Sequence, residues 1–304
     1  MVDVRLVSFG EPGAWRPGLD LGTWVADTRR VAELAGWDAH TVASLRSNRA
    51  LLALGQGARE ALRECALRHA AALLADGGGR PLDGLRLGPP VPDPEKIVCI
   101  GLNYHDHAAE VGAKPPAVPM FFAKYANSLA GPTDTIVPPR DTAKVDYEAE
   151  LAVVIGKPGR YIDAADALQH VAGAMALNDV SARDLQLANP LWTGGKAIDT
   201  FAPCGPALVT LEEIPDLQAL SVQTRIGDTL LQNGTTAAMI FPVRELVAFL
   251  SRIMTLVPGD IIATGTPAGV AMAHKPPRFL QTGDVVEVSV GGFGTLRNPV
   301  GPAG

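Results

Sequence analysis

The stretch VDYEAEL, Val145 to Leu151, carries carboxylates at Asp146, Glu148 and Glu150 and runs directly into AVVIG. A strand turns successive side chains to opposite faces, so these acids share a face with Ala152 and Val154. That face starts acidic and ends apolar. Like charges entering a core repel one another unless a proton or a cation intervenes. Glu148 and Glu150 are two residues apart, so their Cα atoms lie ~6.5–7 Å from each other and both carboxylates can converge on one point. A hard divalent cation such as Mg²⁺ answers that arrangement, because it takes oxygen ligands and tolerates several carboxylates. The plainer alternative is a solvated edge strand whose charges suppress pairing.

Two ligands hold an ion weakly, so a third acid is expected. AMALNDVSARDLQ offers Asp179 at the end of an apolar strand, either as that ligand or as a helix N-cap, a job for which Ser181 competes. Arg183 and Gln186 then fall about one helical turn apart, as substrate contacts or as surface residues. In GLNYHDHAAEVG, His107 and Glu110 are spaced i, i+3 on a helix. A carboxylate beside an imidazole suits a general base near neutral pH; an ordinary surface ion pair is the simpler reading. His105 and His107 make a poor metal pair, because i and i+2 side chains diverge on a helix. WTGGKAIDTFAP places Lys196 after a glycine pair, in a loop where backbone can approach a ligand. IIATGTPAGV presents the Thr266 hydroxyl and successive backbone N–H groups, a nest for a carboxylate or merely a turn.

The elements that must position these groups divide near residue 90. Of 304 residues, 47% are hydrophobic and 19% charged, which describes a folded protein with a sizeable core and room for about two domains. Residues 1–90 read as a small α+β domain: short strands in VRLVSFG and LDLGTWVAD, then helix across 41 to 75, ended by DGGGRPLDG. After the Pro-rich GPPVPDPEK, residues 91–304 are dominated by strands: KIVCIG, LAVVIG, AGAMAL, ALVT, SVQTRIG, DIIATG and VVEVSV. Helices are few, around NYHDHAAEVG, SARDLQLAN and VRELVAFLSRIM. So many strands with so few helices argue against a doubly wound parallel sheet and for a curled or sandwiched mixed sheet.

Several function classes lose support. The net charge is −6, from 26 basic and 32 acidic residues, which gives no electrostatic reason to expect nucleic acid or an anionic membrane. No apolar run reaches the ~18 residues of a membrane span and no leader is apparent, so the expected compartment is the cytoplasm. Cys65, Cys99 and Cys204 are scattered, with no zinc or disulfide spacing, and Cys99 in KIVCIG reads as a buried apolar residue. There is no GxSxG elbow, Walker loop, HExxH, or GxGxxG opening a helix; the glycines of GGFGTLRNPVG read as turns.

Taken together, GLNYHDHAAE, DYEAELAVVIG, ALNDVSARDLQ, GKAIDTFAPCGP, LVPGDIIATGTPAGV and TGDVVEVSVGGFGTLRN resemble the fumarylacetoacetate hydrolase family, from about Lys96 to Val300, with a looser match before that. The resemblance implies an α+β, β-rich, roll-like catalytic domain, a homodimer, and one Mg²⁺ or Mn²⁺ per subunit held by Glu148, Glu150 and Asp179. It implies that His107 and Glu110 activate water on a lid segment, that Lys196 is an active-site lysine, that Arg183 and Gln186 lie near substrate, and that Thr266 meets a substrate carboxylate. Asp146 belongs to the motif without being a ligand. The founding enzyme adds a fourth acid from upstream; FFAKYANSLAGP offers none before Asp134, so three ligands are expected.

The chemistry implied is chelation of a 2-oxo acid by carboxylate and oxo oxygen, with the ion and Lys196 stabilising an enolate. Hydrolysis of a 2,4-diketo acid, an acylpyruvate or fumarylpyruvate-like compound, ranks first because of the His107–Glu110 pair. Isomerisation of a 2-hydroxymuconate-type acid, or decarboxylation of a 2-oxo acid, follows on the same site. A non-catalytic, metal-bearing ligand sensor would have no need of His107, Glu110 and Lys196.

Overall fold

The computed structural model of the chain describes residues 4–304. Its spine is a mixed sheet, running in order through Gly79–Pro81, Trp24–Asp27, Arg16–Asp20, Arg5–Phe9, Ala202–Thr210, Val171–Asn178, Ala149–Ile155, Ile261–Ala263, Ile97–Gly101 and Met120–Lys124. Neighbours are antiparallel except Ile261–Ala263 with Ile97–Gly101, which are parallel. The Arg5–Phe9 strand pairs with Ala202–Thr210, so strands from the first 90 residues continue the sheet of the rest. A second sheet of four strands, Thr229–Thr235, Ser221–Ile226, Val285–Val290 and Thr295–Pro299, is antiparallel throughout. The mixed, β-rich α+β architecture is the one expected, and GGFG of GGFGTLRN forms the hairpin turn between the last two strands, TLRN belonging to the second of them.

The central strand Ala149–Ile155 is buried along its whole length and divides two cores. Ala149, Leu151, Val153 and Ile155 pack into one, with the second sheet and with Val243, Leu246, Val247 and Leu250 of the helix Val243–Ile253. That helix is amphipathic at i, i+3, i+4 and i+7, and truncating Leu246 or Leu250 to alanine costs about 2–5 kcal/mol in such a core. Ala152 and Val154 face the other core, against Val31, Leu51, Leu62 and Leu73 of the early helices. Glu150, which precedes Ala152 and Val154 on this face, is therefore carried inward.

Two expectations change. The helical span over 41 to 75 is four short helices, Ala39–Ser44, Asn48–Ala53, Gln56–Arg68 and Ala70–Asp76. Asn48 explains one break: its buried amide donates to the carbonyls of Val7 and Pro90, pinning its turn to the sheet. The acidic stretch is also not one strand. Val145–Asp146 pairs separately with Ser181–Ala182, and Tyr147–Glu148 interrupt before Ala149. There the Tyr147 N–H donates to the Asp146 side chain and the Glu148 N–H to Asn178 Oδ1, so side chains replace the ladder.

Candidate active site

Glu148 stands in that interruption, Glu150 on the central strand, and Asp179 just past the end of Val171–Asn178. All three are buried, and one oxygen of each lies within 4.8 Å of the others. Asp179 caps no helix. Its carboxylate accepts from Lys124 Nζ at 2.6 Å and Lys196 Nζ at 2.8 Å, and the turn Arg183–Gln186 starts after Ala182 without a side-chain cap. A buried set of three carboxylates fits a hard Mg²⁺- or Mn²⁺-like ion and suits a soft metal poorly.

Asp146 has a different fate. It accepts from the N–H groups of Tyr147, Ala271 and Met272 and from Arg183 Nε, at 2.7–3.2 Å. Its lone pairs are saturated, which leaves it as scaffold. Arg183 is equally committed: Nε to Asp146, Nη1 to Gln186 Oε1 at 2.9 Å, and Nη2 to Glu148 Oε1 at 2.6 Å.

Four buried acids, Asp146, Glu148, Glu150 and Asp179, face three buried bases, Lys124, Arg183 and Lys196, leaving one negative charge uncompensated. Glu150 shows where it falls. Burial, then Asp179 and Glu148, push its carboxyl well above the usual range, and the Lys196 ammonium and the Gly265 N–H, 2.8 Å from Oε2, offset them only in part. Burial also raises Glu148, but Lys196 and Arg183 outweigh it and hold that carboxylate below the usual range. For Lys196, burial lowers and Asp179 and Glu148 raise; the acids win. A divalent cation would supply the charge that Glu150 otherwise takes from a proton.

Two glycines set this geometry. Gly265 has φ +96°, and a Cβ there would stand 2.8 Å from Asn103 Cβ; its N–H is thereby aimed at Glu150. Gly195 lies so close to the Arg183–Gln186 turn that a Cβ would meet Gln186 N at 2.4 Å and the Ala182 carbonyl at 2.6 Å. Lys196 therefore sits on a short helical turn, Thr193–Lys196, rather than in a loop, and the close backbone approach serves packing instead of a ligand. Its ammonium also stands 5.0 Å from the Phe122 ring centroid, a cation–π contact.

His107 and Glu110 share the helix His105–Glu110, with Nδ1 2.7 Å from Glu110 Oε1. The second Glu110 oxygen accepts from the Gly269 N–H, tying this helix to the loop after Thr266. Nδ1 is thus occupied and Nε2 remains for chemistry. His105 is exposed beside it. The Thr266 hydroxyl is spoken for: it donates to the Ala149 carbonyl at 2.9 Å and accepts from Gln232 Nε2 at 2.8 Å.

One cavity of about 180 Å³ gathers His107, Glu148, Glu150, Arg183, Gln186, Lys196 and Thr266. Ile100, Leu102, Val111, Phe122, Leu187, Trp192 and Met272 complete its wall, so one end is charged and the rest apolar. Asp179, the third acid of the triad, is fully buried and does not line the cavity.

The principal residue the sequence reading passed over is Lys124. FFAKYANSLAGP holds no acid, and it supplies a cation instead, on Asp179 and the Val180 carbonyl. A lysine closing an apolar strand was the available signal. Gln232 was invisible: it lies 83 residues from Ala149, whose N–H it accepts, while also accepting from Thr224 and donating to Thr266 and Pro267.

Residues 96–301 match the family pattern described as fumarylacetoacetate (FAA) hydrolase C-terminal. Among relatives, the mitochondrial oxaloacetate tautomerase FAHD2B of Bos taurus is 46% identical over 213 residues, covering 69% of this chain and 68% of its own. Among solved structures, a fumarylacetoacetate hydrolase from Exiguobacterium antarcticum superposes with TM-score 0.80 at 35% identity, covering 98% of this chain and 99% of its own. A 2-hydroxyhepta-2,4-diene-1,7-dioate isomerase from Mycobacterium marinum superposes with TM-score 0.72 at 30% identity, covering 99% of each chain. With the match spanning the triad, the His107–Glu110 pair and the turn at Thr266, the chain belongs to the fumarylacetoacetate hydrolase family of enzymes.

Proposed function

We propose that this chain catalyses proton transfer at the carbon next to the 2-oxo group of a small 2-oxo acid, interconverting keto and enol forms with one Mg²⁺ or Mn²⁺ per subunit. The observation that carries the reading is that Glu148 and Glu150 of the buried triad line one cavity with His107, whose ring Glu110 holds through Nδ1. The bovine relative, an oxaloacetate tautomerase, agrees with it.

Glu148, Glu150 and Asp179 would hold the ion, whose role when bound is Lewis-acid polarisation of the 2-oxo group. His107 Nε2 removes a proton from C3, and the same proton is returned to the 2-oxygen to give the enol. Glu110 keeps Nδ1 occupied and orients the ring. The Lys196 ammonium stabilises negative charge on the enolate oxygen. Gln186, steadied by Arg183, orients the substrate. Because its hydroxyl is committed, Thr266 meets the substrate carboxylate through its backbone N–H.

Hydrolysis of an acylpyruvate stands second, and the cavity wall favours it. Arg183 and Lys196, the arginine and lysine lining the cavity, are both paired with carboxylates, and the outer wall is apolar. Such a wall suits an uncharged acyl tail better than a second carboxylate. His107 then takes a proton from water, hydroxide attacks the distal carbonyl, the C3–C4 bond breaks, and the pyruvate enolate recovers the proton. Isomerisation or decarboxylation would use the same cavity without attacking water.

The test is purified protein with Mg²⁺ against oxaloacetate, acetylpyruvate and a hydroxymuconate analogue, following enol absorbance and product mass. Absorbance change at constant mass supports tautomerisation, and fragments that have gained water support hydrolysis. Metal binding without turnover of any substrate would leave a ligand sensor and sink both readings.

We also retain as proposals the division into domains 1–90 and 91–304, a homodimer, a small-molecule acid as the partner in place of nucleic acid or membrane, and the cytoplasm as compartment. The exposed Met120 and Phe121 on the edge strand of the large sheet, with Tyr125 just past its end, give a second copy an apolar surface. Among the described residues no helix is long and apolar enough to cross a membrane.

A further inference from the structure

A second cavity, of about 210 Å³, shares no lining residue with the one above. It lies between the helix Gln56–Arg68 and the end of the strand Ala202–Thr210, with Arg59, Arg63 and Gln56 on the helix side and Thr210 and Val4 on the sheet side. Arg59 and Arg63 are four residues apart on this helix and so project from the same face. Arg59 is only 5% exposed, and among the described residues neither arginine has a hydrogen bond or an ion pair. In Arg63 the Nε and Nη1 atoms are themselves buried without a partner.

A guanidinium cannot shed its proton to escape burial, so two forks on one cavity, without a partner among the described residues, favour an anion. Glu60, Glu64 and Glu212 line the rim but are exposed to solvent, and none forms an ion pair with either arginine. Burial lowers the affinity of Arg59 for its proton, and Glu212 and Glu60 offset this only in part. An acidic rim above a basic floor repels large polyanions and admits a small group.

We propose that this cavity binds a small oxyanion, a carboxylate or phosphate group held bidentately by Arg59 and Arg63, with the Thr210 hydroxyl and Gln56 as neutral partners. The site lies where the helices of the first 90 residues meet the strand that pairs with Arg5–Phe9, so an occupant ties that helix to the central sheet. It is independent of the catalytic reading.

The test is a thermal-shift and calorimetric titration of the full chain, metal-free, with inorganic phosphate and with acetate at constant ionic strength, chloride serving as control. Wild type should show a saturable rise in Tm in millimolar phosphate or acetate, and the stronger arm identifies the group. Arg59→Met should lose that rise, and without anion it should be at least as stable as wild type, because an unpaired buried cation has been removed. Arg59→Lys, which keeps charge but loses the fork, should weaken binding about tenfold and covers the case in which Arg59→Met does not fold. No saturable rise in wild type, or an equal rise in Arg59→Met, overturns the proposal.

Discussion

Asp146 and Glu150 belong to one seven-residue stretch, are both buried, and lie opposite in function. Asp146 receives three backbone N–H groups and the Arg183 guanidinium; Glu150 receives the Gly265 N–H. A saturated carboxylate is a structural anion. An under-donated one, pressed by burial, Asp179 and Glu148 toward its protonated form, is where we propose that a cation binds. Donor count, more than burial or position in the motif, separates Asp146 from Glu150.

The contrast can be broken at either end. The largest effect is expected from Glu148→Ala, which removes a ligand and the partner of both Arg183 and Lys196. Metal-dependent turnover should fall to background and Mn²⁺ binding by calorimetry should vanish. His107→Ala should follow, lowering turnover about 10²–10⁴-fold with Mn²⁺ affinity little changed. Asp146→Asn should act on the other quantity. Breaking a buried, multiply bonded ion pair costs about 3–5 kcal/mol, read as a lower urea midpoint, while the folded fraction still binds metal.

Lys124→Met tests the residue that backs Asp179. Its ammonium orients that carboxylate, so Mn²⁺ affinity should fall about 10–100-fold, as for other outer partners of metal ligands, with the fold retained. The smallest effect is on pH. A carboxyl raised in the folded state contributes stability that is complete below the ordinary carboxylate range, near about pH 4, and is lost as pH rises through the raised value. Metal-free protein should therefore lose Tm as pH rises above that range, and Mg²⁺ should flatten the slope by taking the place of the Glu150 proton. Glu150→Gln should flatten it without metal.

Much of this was legible in the sequence because it is local. Alternation marked the buried face of Ala149–Ile155, the i, i+3 spacing paired His107 with Glu110, and the glycines of GGFGTLRN marked a hairpin. What was hidden is long-range. Lys124 meets Asp179 across 55 positions, and Gln232 reaches Thr266 across 34, neither with any periodic trace. The break at Tyr147–Glu148 depends on Asn178, 30 residues away, taking the Glu148 N–H. The Gly195 contact, read as room for a ligand, is room for the Arg183–Gln186 turn. In each case residue types could be ranked, but the partner that decided the role lay elsewhere in the chain.

The most direct test is Mn²⁺ titration by calorimetry of wild type, Glu150→Gln and Asp146→Asn, at a temperature where all three are folded. The account predicts one ion per chain in wild type and in Asp146→Asn, and loss of binding in Glu150→Gln. Binding retained in Glu150→Gln but lost in Asp146→Asn would contradict it, because the saturated carboxylate would then be the ligand and the under-donated one the scaffold.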